Sequence, residues 1–511
     1  MKKVLMLGGS LYQVYAIKEA VRLGYYVISC DYLPNNPGHR YAHEYYNVST
    51  TDKNAVLELA KRLQVDGIVA YASDPAAPTA AYVCEKLGLP TSPYRSVEIL
   101  SKKDLFRRFL ADNGFNVPKA QGFSSYEEAL SMVDNFKLPV MIKPVDSSGS
   151  KGINKMTDVS QLKAFVDDAL SYSRDKRFLI EEFIEKKGYQ ISGDAFSVEG
   201  KLVFHCFGNE YYSSKVSKDF APLGECWPFL MDDSIVSRLY SDLQRLISLL
   251  GMKSTAYNVE AIVDKDDNIY ILELGARSGG SLIPQITEYT TGVNLVTYVI
   301  KAAMGEDCSD LHMEFPKGCW SNYMVHANET GKYVGTVFED GFKKNNLMEF
   351  VTDIKKGDQV HKFRDAQDAL GTLIIKYEDT KQMLDMICNM DNFVRNQEHH
   401  KKMIKWLIEY YTHISSKLSS NKREYIEIIL TYTLNTHYSI YCEYDKDHAR
   451  AYKEIVDFDQ YLLKVNKALY ERINCMAYIR YNRKTKFKFV RLNGRKWNTA
   501  MKMARRLKGK F

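Results

Sequence analysis

Apolar runs and amphipathic stretches alternate through the first part of the chain. Residues 4–7 form a short unbroken apolar run, a glycine turn follows, and residues 11–23 carry a helical stripe. Further apolar runs occupy 27–30 and 67–71. Strands alternating with amphipathic helices predict an open α/β unit built on parallel strands. Beyond it the pattern predicts a helix over 97–113, strands over 138–143 and 178–184, and a hairpin of 191–198 with 201–207 turning at Glu199-Gly200. That hairpin sets Asp194 opposite His205, as a structural pair. Residues 211–227 are polar and aromatic without clear period and are expected to be a mobile loop. A long amphipathic helix covers 236–250, and another begins near Leu295.

Residues 255–263 and 269–274 are β-rich and flank Lys265-Asp266-Asp267-Asn268, a strong turn signal. The register this predicts puts Val263 opposite Tyr270, Glu260 opposite Glu273 and Asn258 opposite Gly275. Two carboxylates so placed repel unless something positive lies between them. A divalent cation is the economical candidate, and Mg²⁺ takes one or two carboxylates plus substrate phosphates. A phosphate site is therefore needed elsewhere. The run 144–152, PVDSSGSKG, follows a strand ending in Lys143 and offers small residues with free backbone N–H groups beside a point charge. It is not a P-loop, and a Ser/Gly-rich loop taken alone is usually only a loop. Gly8-Gly9-Ser10 with Asp31 is an incomplete dinucleotide fingerprint, better read as a tight turn and a strand-end acid. Asp31-Tyr32 and Ser73-Asp74 follow strand ends, where α/β sheets bind ligands.

At 511 residues the chain should form several domains. Nine scattered cysteines without a C-x-x-C pair suggest neither zinc nor disulfides, and a reducing cytosol is the expected compartment. The apolar run at 4–7 is too short for a signal peptide, and no stretch is long and apolar enough to span a bilayer. The net charge of +7 is uneven: from His399 onward 25 Lys and Arg face 10 Asp and Glu. Residues 319–377 alternate short β-rich runs with turns, and helical patterns dominate from 381. Residues 478–492 alternate basic with apolar positions, and Trp497, Met501, Ala504, Leu507 and Phe511 share one helical face among cations. Such a segment suits an anionic membrane, a nucleic acid or a polyanionic polymer, and a helix packing on its own domain fits the pattern equally well. The lack of a nucleic-acid motif favours membrane or polymer over DNA.

Lys103, the IKP containing Lys143, the Ser/Gly loop at 147–152, EEFI at 181–184, NVE at 258–260 and ELGARSGG at 273–280 occur in one fixed order. Together they resemble the ATP-grasp superfamily, and more closely its branch similar to the large subunit of carbamoyl-phosphate synthase. The resemblance covers roughly residues 1–395. It implies a mixed α/β and α+β architecture: a pre-ATP-grasp α/β domain (1–96), a two-subdomain ATP-grasp domain (97–310) with its hinge near 181–184, and an accessory subdomain (311–395). A mainly helical, basic tail (396–511) lies outside it.

Carried over by position, Lys103 and Lys143 contact the α- and β-phosphates of ATP. The loop containing Ser147, Ser148, Gly149 and Gly152 closes over the triphosphate. Glu181 opens the adenine hinge, in which backbone groups of Glu182 and Ile184 read the base. Glu260 and Glu273 hold Mg²⁺, with Mn²⁺ as an equivalent, and Arg277 stabilises the phosphoryl group in transit. Two departures stand out. Gly275 replaces a metal-binding Asn common in the family, leaving Glu273 with water or Asn258 to complete a second metal site. The acid that commonly binds ribose has no counterpart, and Gln190 is the substitute. The implied activity is an ATP-dependent ligase that turns a carboxylate into an acyl phosphate for attack by an amine or similar nucleophile. Cell-surface polysaccharide or metabolite biosynthesis is the expected setting, in the cytoplasm with peripheral membrane association through the tail. The alternative is a non-catalytic ATP-binding scaffold with a membrane- or polyanion-binding tail.

Overall fold

A computed structural model describes residues 1–212, 220–387, 408–409, 411–413, 457–458, 460–467 and 469–470. The chain divides into two compact units, Met1–Leu384 and Asp385–Phe511. The basic segments at 478–492 and 497–511 lie outside the described residues. Among the described residues no helix is long and apolar enough to cross a membrane.

The first unit begins with β1 (Lys3–Leu7), α1 (Gln13–Arg22), β2 (Tyr26–Cys30), β3 (Glu44–Tyr46), α2 (Lys53–Leu63), β4 (Gly67–Val69) and α3 (Ala77–Leu87). The four strands are parallel in the order β3-β2-β1-β4. Val4 and Met6 pack with Ala16, Ile17 and Ala20 of α1, whereas Leu5 and Leu7 pack with Val56, Leu59 and Ala60 of α2. Burial on both faces explains why β1 reads as an unbroken apolar run. Past β4 the chain goes through Ala72 at φ +49°, a left-handed conformation unusual for a residue with a Cβ, before reaching Asp74.

The helix expected over 97–113 is two helices, α4 (Tyr94–Ser101) and α5 (Lys103–Asp112). Lys102 between them is extended, with φ −120° and ψ 111°. The break puts Lys103 at the first position of α5, its N–H donated to the Val145 carbonyl at 2.9 Å. Next come β5 (Ala120–Phe123), α6 (Tyr126–Met132), β6 (Val140–Pro144), β7 (Asn154–Met156), α7 (Leu162–Tyr172) and β8 (Phe178–Glu182). Their antiparallel sheet runs β5-β8-β6-β7. Val140, Ile142, Phe178 and Ile180 share a core with Leu162, Val166 and Ala169 of α7. Strand alternation therefore turns Met141, Lys143, Leu179 and Glu181 to the opposite face.

The remaining elements are β9 (Gln190–Val198), β10 (Lys201–Tyr212), β11 (Pro222–Trp227), α8 (Asp233–Leu249), β12 (Thr255–Val263), β13 (Ile269–Gly275), α9 (Ile283–Thr291), α10 (Leu295–Ala303), β14 (Cys319–His326), β15 (Gly331–Lys332), α11 (Asp340–Asn345), β16 (Leu347–Val351), β17 (Gln359–Val360) and β18 (Ala369–Tyr377). Eight of these strands form one large sheet, β13-β12-β9-β10-β11-β14-β18-β16. Ile191, Ala195, Tyr257, Val259 and Ala261 pack in one core with Leu239, Leu243 and Leu246 of α8. The intervening positions, Gln190, Ser192, Asp194, Asn258 and Glu260, lie on the other face.

Two expectations fail over β9 to β11 of this sheet. Asp194 pairs with Cys206, and His205 with Ala195, because a bulge between Leu202 and Phe204 shifts the register by one residue. The stretch 211–227, expected to be a mobile loop, contributes the end of β10 and all of β11, while 213–219 lie outside the described residues. β11 pairs with β10 on one side and β14 on the other. Backbone hydrogen bonding from two neighbours sustains a strand whose side chains carry no alternating signal.

Candidate functional site

A cleft of about 220 Å³ lies between the small and large sheets. Met141, Lys143 and residues 147–150 line one wall; Gln190, Glu210, Glu260, Leu272 and Glu273 line the other; and 181–184 close one end.

The hairpin puts Glu260 opposite Glu273 and Asn258 opposite Gly275, as expected, but Val263 pairs with Ile269 and not Tyr270. A bulge explains both results. Counting from the turn, the pairs run Val263–Ile269, Ile262–Tyr270 and Ala261–Ile271, and the extra residue Leu272 then brings Glu273 level with Glu260. The Leu272 carbonyl accepts from Arg107 Nη1 at 2.9 Å. Lys103 Nζ sits 2.6 Å from Glu273 Oε1 and donates to the Ser147 carbonyl at 2.9 Å. A lysine thus partly neutralises the carboxylate pair. Burial, then the charges of Glu273 and Glu210, push the Glu260 carboxyl well above its usual range, with Lys103 and Arg277 opposing. Among the described residues no group of three or more His, Cys, Asp or Glu is arranged to hold a metal alone. Two facing carboxylates fit an ion that draws its other ligands from phosphates and water.

Lys143 is held from below. Its Nζ lies 2.5 Å from Glu181 Oε1, while Arg107 Nε donates to Glu181 Oε2 at 2.8 Å. Burial alone would raise the Glu181 carboxyl, but Arg107 and Lys143 overcome it and hold the group at about 2. The Glu182 N–H is committed to the Lys119 carbonyl at 2.9 Å, and its carboxylate accepts the Lys137 N–H at 2.9 Å. Ser147, Ser148, Gly149 and Ile184 line the cleft, but Gly152 does not. A Cβ on Gly152 would meet Pro144 and Tyr172 at 2.9 Å, so that glycine serves close packing of the loop on α7.

Asn258 is turned away from the cleft, its Nδ2 3.4 Å from both the Gly193 carbonyl and Asp194 Oδ1. Asp194, pushed up to about 7 by burial, accepts the Gly279 N–H at 2.8 Å and anchors the glycine turn behind the hairpin.

Arg277 is clamped by Asp74, which follows β4. Its Nε and Nη2 donate to Asp74 Oδ1 and Oδ2 at 2.7 and 2.6 Å, and Nη1 donates to the Ser278 carbonyl at 2.9 Å. Burial opposes the Asp74 charge, but Arg277 and then Lys103 hold that carboxyl below its usual range. This pair also accounts for Gly275. A Cβ there would stand 3.2 Å from Asp74 Oδ1 and 3.3 Å from Arg277 Nε, so an Asn would crowd the ion pair.

A second cavity of about 350 Å³ reaches Asp74, Lys103, Glu273 and Gly275, with Lys53, Tyr94 and Arg174 farther along its wall. It shares Ser147, Leu272 and Glu273 with the cleft, so the two chambers meet at Glu273.

The sequence reading missed Arg107, Glu210 and Glu225. Glu210 and Glu225 face each other across β10 and β11, and burial, reinforced by neighbouring acids, raises both carboxyls. With 211–227 read as loop, no register linked them. Arg107 lies within the helix predicted over 97–113, where no motif singles it out.

A cleft between two antiparallel sheets, floored by a half-buried lysine and facing a carboxylate pair, defines a nucleotide-binding domain of the ATP-grasp kind. Residues 102–311 match the family described as carbamoyl-phosphate synthase L chain, ATP binding domain. The chain carries an ATP-grasp domain of the carbamoyl-phosphate-synthase-like branch. It is 25% identical to the carbamoyl phosphate synthase large chain of Pseudothermotoga lettingae over 273 residues, which is 53% of this chain and 24% of that relative. The match thus spans about a quarter of the relative's length. The L-amino acid ligase of Bacillus licheniformis superposes with a TM-score of 0.64 at 19% identity, over 77% of this chain and 97% of that one. The biotin carboxylase domain of Hydrogenobacter thermophilus 2-oxoglutarate carboxylase, in complex with MgADP and bicarbonate, gives 0.58 at 18% identity over 76% and 89%.

Proposed function

We propose that the protein is an ATP-dependent ligase that activates a carboxylate as an acyl phosphate and passes it to an amine or similar nucleophile. In this reading residues 1–96 form the pre-ATP-grasp domain, 97–310 the ATP-grasp domain and 311–395 an accessory subdomain. The observation that carries it is the meeting of two chambers at Glu273, beside Lys103 and within the charge field of Arg277. One chamber suits a nucleotide. The other, lined by lysines, an arginine and acids, suits a polar co-substrate.

When bound, Mg-ATP supplies the phosphoryl group. Glu260 and Glu273 would hold the ion. Lys143, fixed on Glu181, and Lys103 neutralise phosphate charge, and residues 147–149 offer backbone N–H groups. Two N–H groups of Arg277 remain after Asp74 and Ser278 are counted, and they are available to an oxyanion. Removing such an electrostatic stabiliser costs several kcal/mol, of order 3. The basic tail would keep the enzyme at an anionic surface, a role consistent with cell-surface polymer or metabolite synthesis.

The test is ADP release by the full chain with Mg-ATP against panels of carboxylates and amines. Turnover should appear with a matching pair and fall at least about a hundredfold in Glu273→Gln and Arg277→Ala. Turnover unchanged in both variants refutes the assignment.

A further inference from the structure

The second chamber carries positive charge that no side chain around it neutralises. Five carboxylates line it, and each already has a partner. Asp74 holds Arg277, Glu273 lies 2.6 Å from Lys103 Nζ, and Asp175 lies 2.6 Å from Lys102 Nζ. Glu98 accepts from Arg95 Nη1 at 2.7 Å and from the Tyr94 hydroxyl at 3.0 Å. Asp146 accepts the Ser173 hydroxyl at 2.9 Å and the N–H groups of Arg174 and Asp175 at 3.1 and 3.0 Å. Of the four cations in the wall, Lys102 and Lys103 are thereby paired. Among the described residues neither Lys53 nor Arg174 has a carboxylate partner.

Both of these cations are exposed, yet both are held in position. Lys53 Nζ donates to the Tyr94 hydroxyl at 3.1 Å and stands 5.1 and 5.2 Å from the ring centroids of Tyr82 and Tyr94. Aromatic faces attract an ammonium without cancelling its charge, and its other donors stay available. Arg174 Nη1 donates to the Asp146 carbonyl at 2.8 Å, while the Asp146 carboxylate ties down the Arg174 backbone. The rest of its guanidinium keeps the planar fork that matches a carboxylate or phosphate. A chain of contacts joins the two cations along the wall: Tyr94 to Glu98, Glu98 to Lys102 at 4.0 Å, and Lys102 to Asp175, the neighbour of Arg174. Lys53 comes from α2 and Arg174 from the turn between α7 and β8.

We infer that the chamber takes a co-substrate with two anionic ends: the carboxylate to be activated, beside Glu273 and Lys103, and a second oxyanion on the wall that carries Lys53 and Arg174. The class is a dicarboxylic acid, or a carboxylic acid bearing a phosphate or phosphonate. At about 350 Å³ the chamber is near the lower end of the range for small-molecule sites, roughly 300–1,000 Å³, which suits a compact acid. A monocarboxylate leaves Lys53 and Arg174 without a counter-charge, so selection falls on the second anion. The inference rests on the reading of this chamber as the co-substrate site of a carboxylate-activating ligase.

The experiment is calorimetric titration of the full chain, loaded with Mg²⁺ and β,γ-methylene-ATP. Succinate, adipate and suberate are compared with butyrate, hexanoate and octanoate, and 3-phosphonopropionate with butyrate. At least one dianion should bind on the order of tenfold or more tighter than its monocarboxylate, because charge-assisted hydrogen bonds to the second anion are added. The dicarboxylate and phosphonate arms tell which oxyanion the wall prefers, and a preference in either supports the inference. Combining Lys53→Met with Arg174→Met should shrink that preference to within about twofold. Should the double variant fail to fold, the two single variants carry the test, and a reduced preference in either supports the inference. A wild type without preference, a preference kept in the double variant, or one lost equally in Lys61→Met, a cation of α2 outside the chamber, would each overturn it. The ligase reading fails separately. Dianion binding that depends on Lys53 and Arg174, without ADP release for any amine supplied, leaves this site standing and refutes the ligase; ADP release with monocarboxylates alone does the reverse.

Discussion

Charged side chains at this site are held in place by other charged side chains, and each such pair makes a measurable commitment. Glu181 at about 2 in the folded chain, against an ordinary 4.5, adds stability that is fully present above about pH 4.5 and lost as the pH falls toward 2. That contribution is on the order of 3 kcal/mol. Glu181→Gln should destabilise the protein at pH 7 by about 3–5 kcal/mol, since Arg107 and Lys143 lose their buried partner. Urea melts at several pH values should also show a flatter acid limb than the wild type. The Asp74–Arg277 clamp makes a different prediction. Asp74→Asn should lower ligase turnover by roughly tenfold or more while calorimetric ATP affinity stays within about twofold, because Asp74 orients Arg277 without lining the nucleotide cleft. Gly275→Asn should act in the same direction by crowding that pair. The types of these residues were legible beforehand, but their pairings were not: Asp74 and Arg277 are 203 positions apart, and no local pattern joins them.

Among the elements, the hairpin of β12 and β13 was legible because alternation and a turn signal lie within one short stretch. Its bulge was not, since an extra residue leaves no compositional mark. Inserting one residue between Leu272 and Glu273 should carry Glu273 one position past Glu260 and set the two carboxylates out of line. Such a variant should lose Mg²⁺-dependent ATP binding by calorimetry while still melting cooperatively; retained binding would show that the facing carboxylates are dispensable. α8 is held by Leu239, Leu243 and Leu246, all fully buried, and Leu243→Ala should cost about 2–5 kcal/mol in urea unfolding. β11 stayed hidden because partners on both sides maintain it, so its own residues need not alternate. The α4–α5 break was equally silent: the apolar stripe runs across Lys102, and the chain departs from helix there to place Lys103 between Ser147 and Glu273.

For the whole molecule, the charge is uneven along the chain, with the cationic excess in residues 399–511. If the cationic tail serves an anionic surface, removal of the residues after Lys484 should abolish co-sedimentation with anionic vesicles and leave ATP binding intact; unchanged sedimentation would sink that role. The sequence by itself determined the alternating α/β opening, the carboxylate hairpin and the order of the motifs, because each is a periodicity or spacing within a few tens of residues. Only the tertiary structure decided which acid meets which donor. Lys103 meets Glu273, Lys143 meets Glu181, Arg277 meets Asp74 and Gln190 meets Glu210. A charge buried in a cleft is stable only beside a partner, and the fold draws those partners from strands and helices that the chain order keeps far apart.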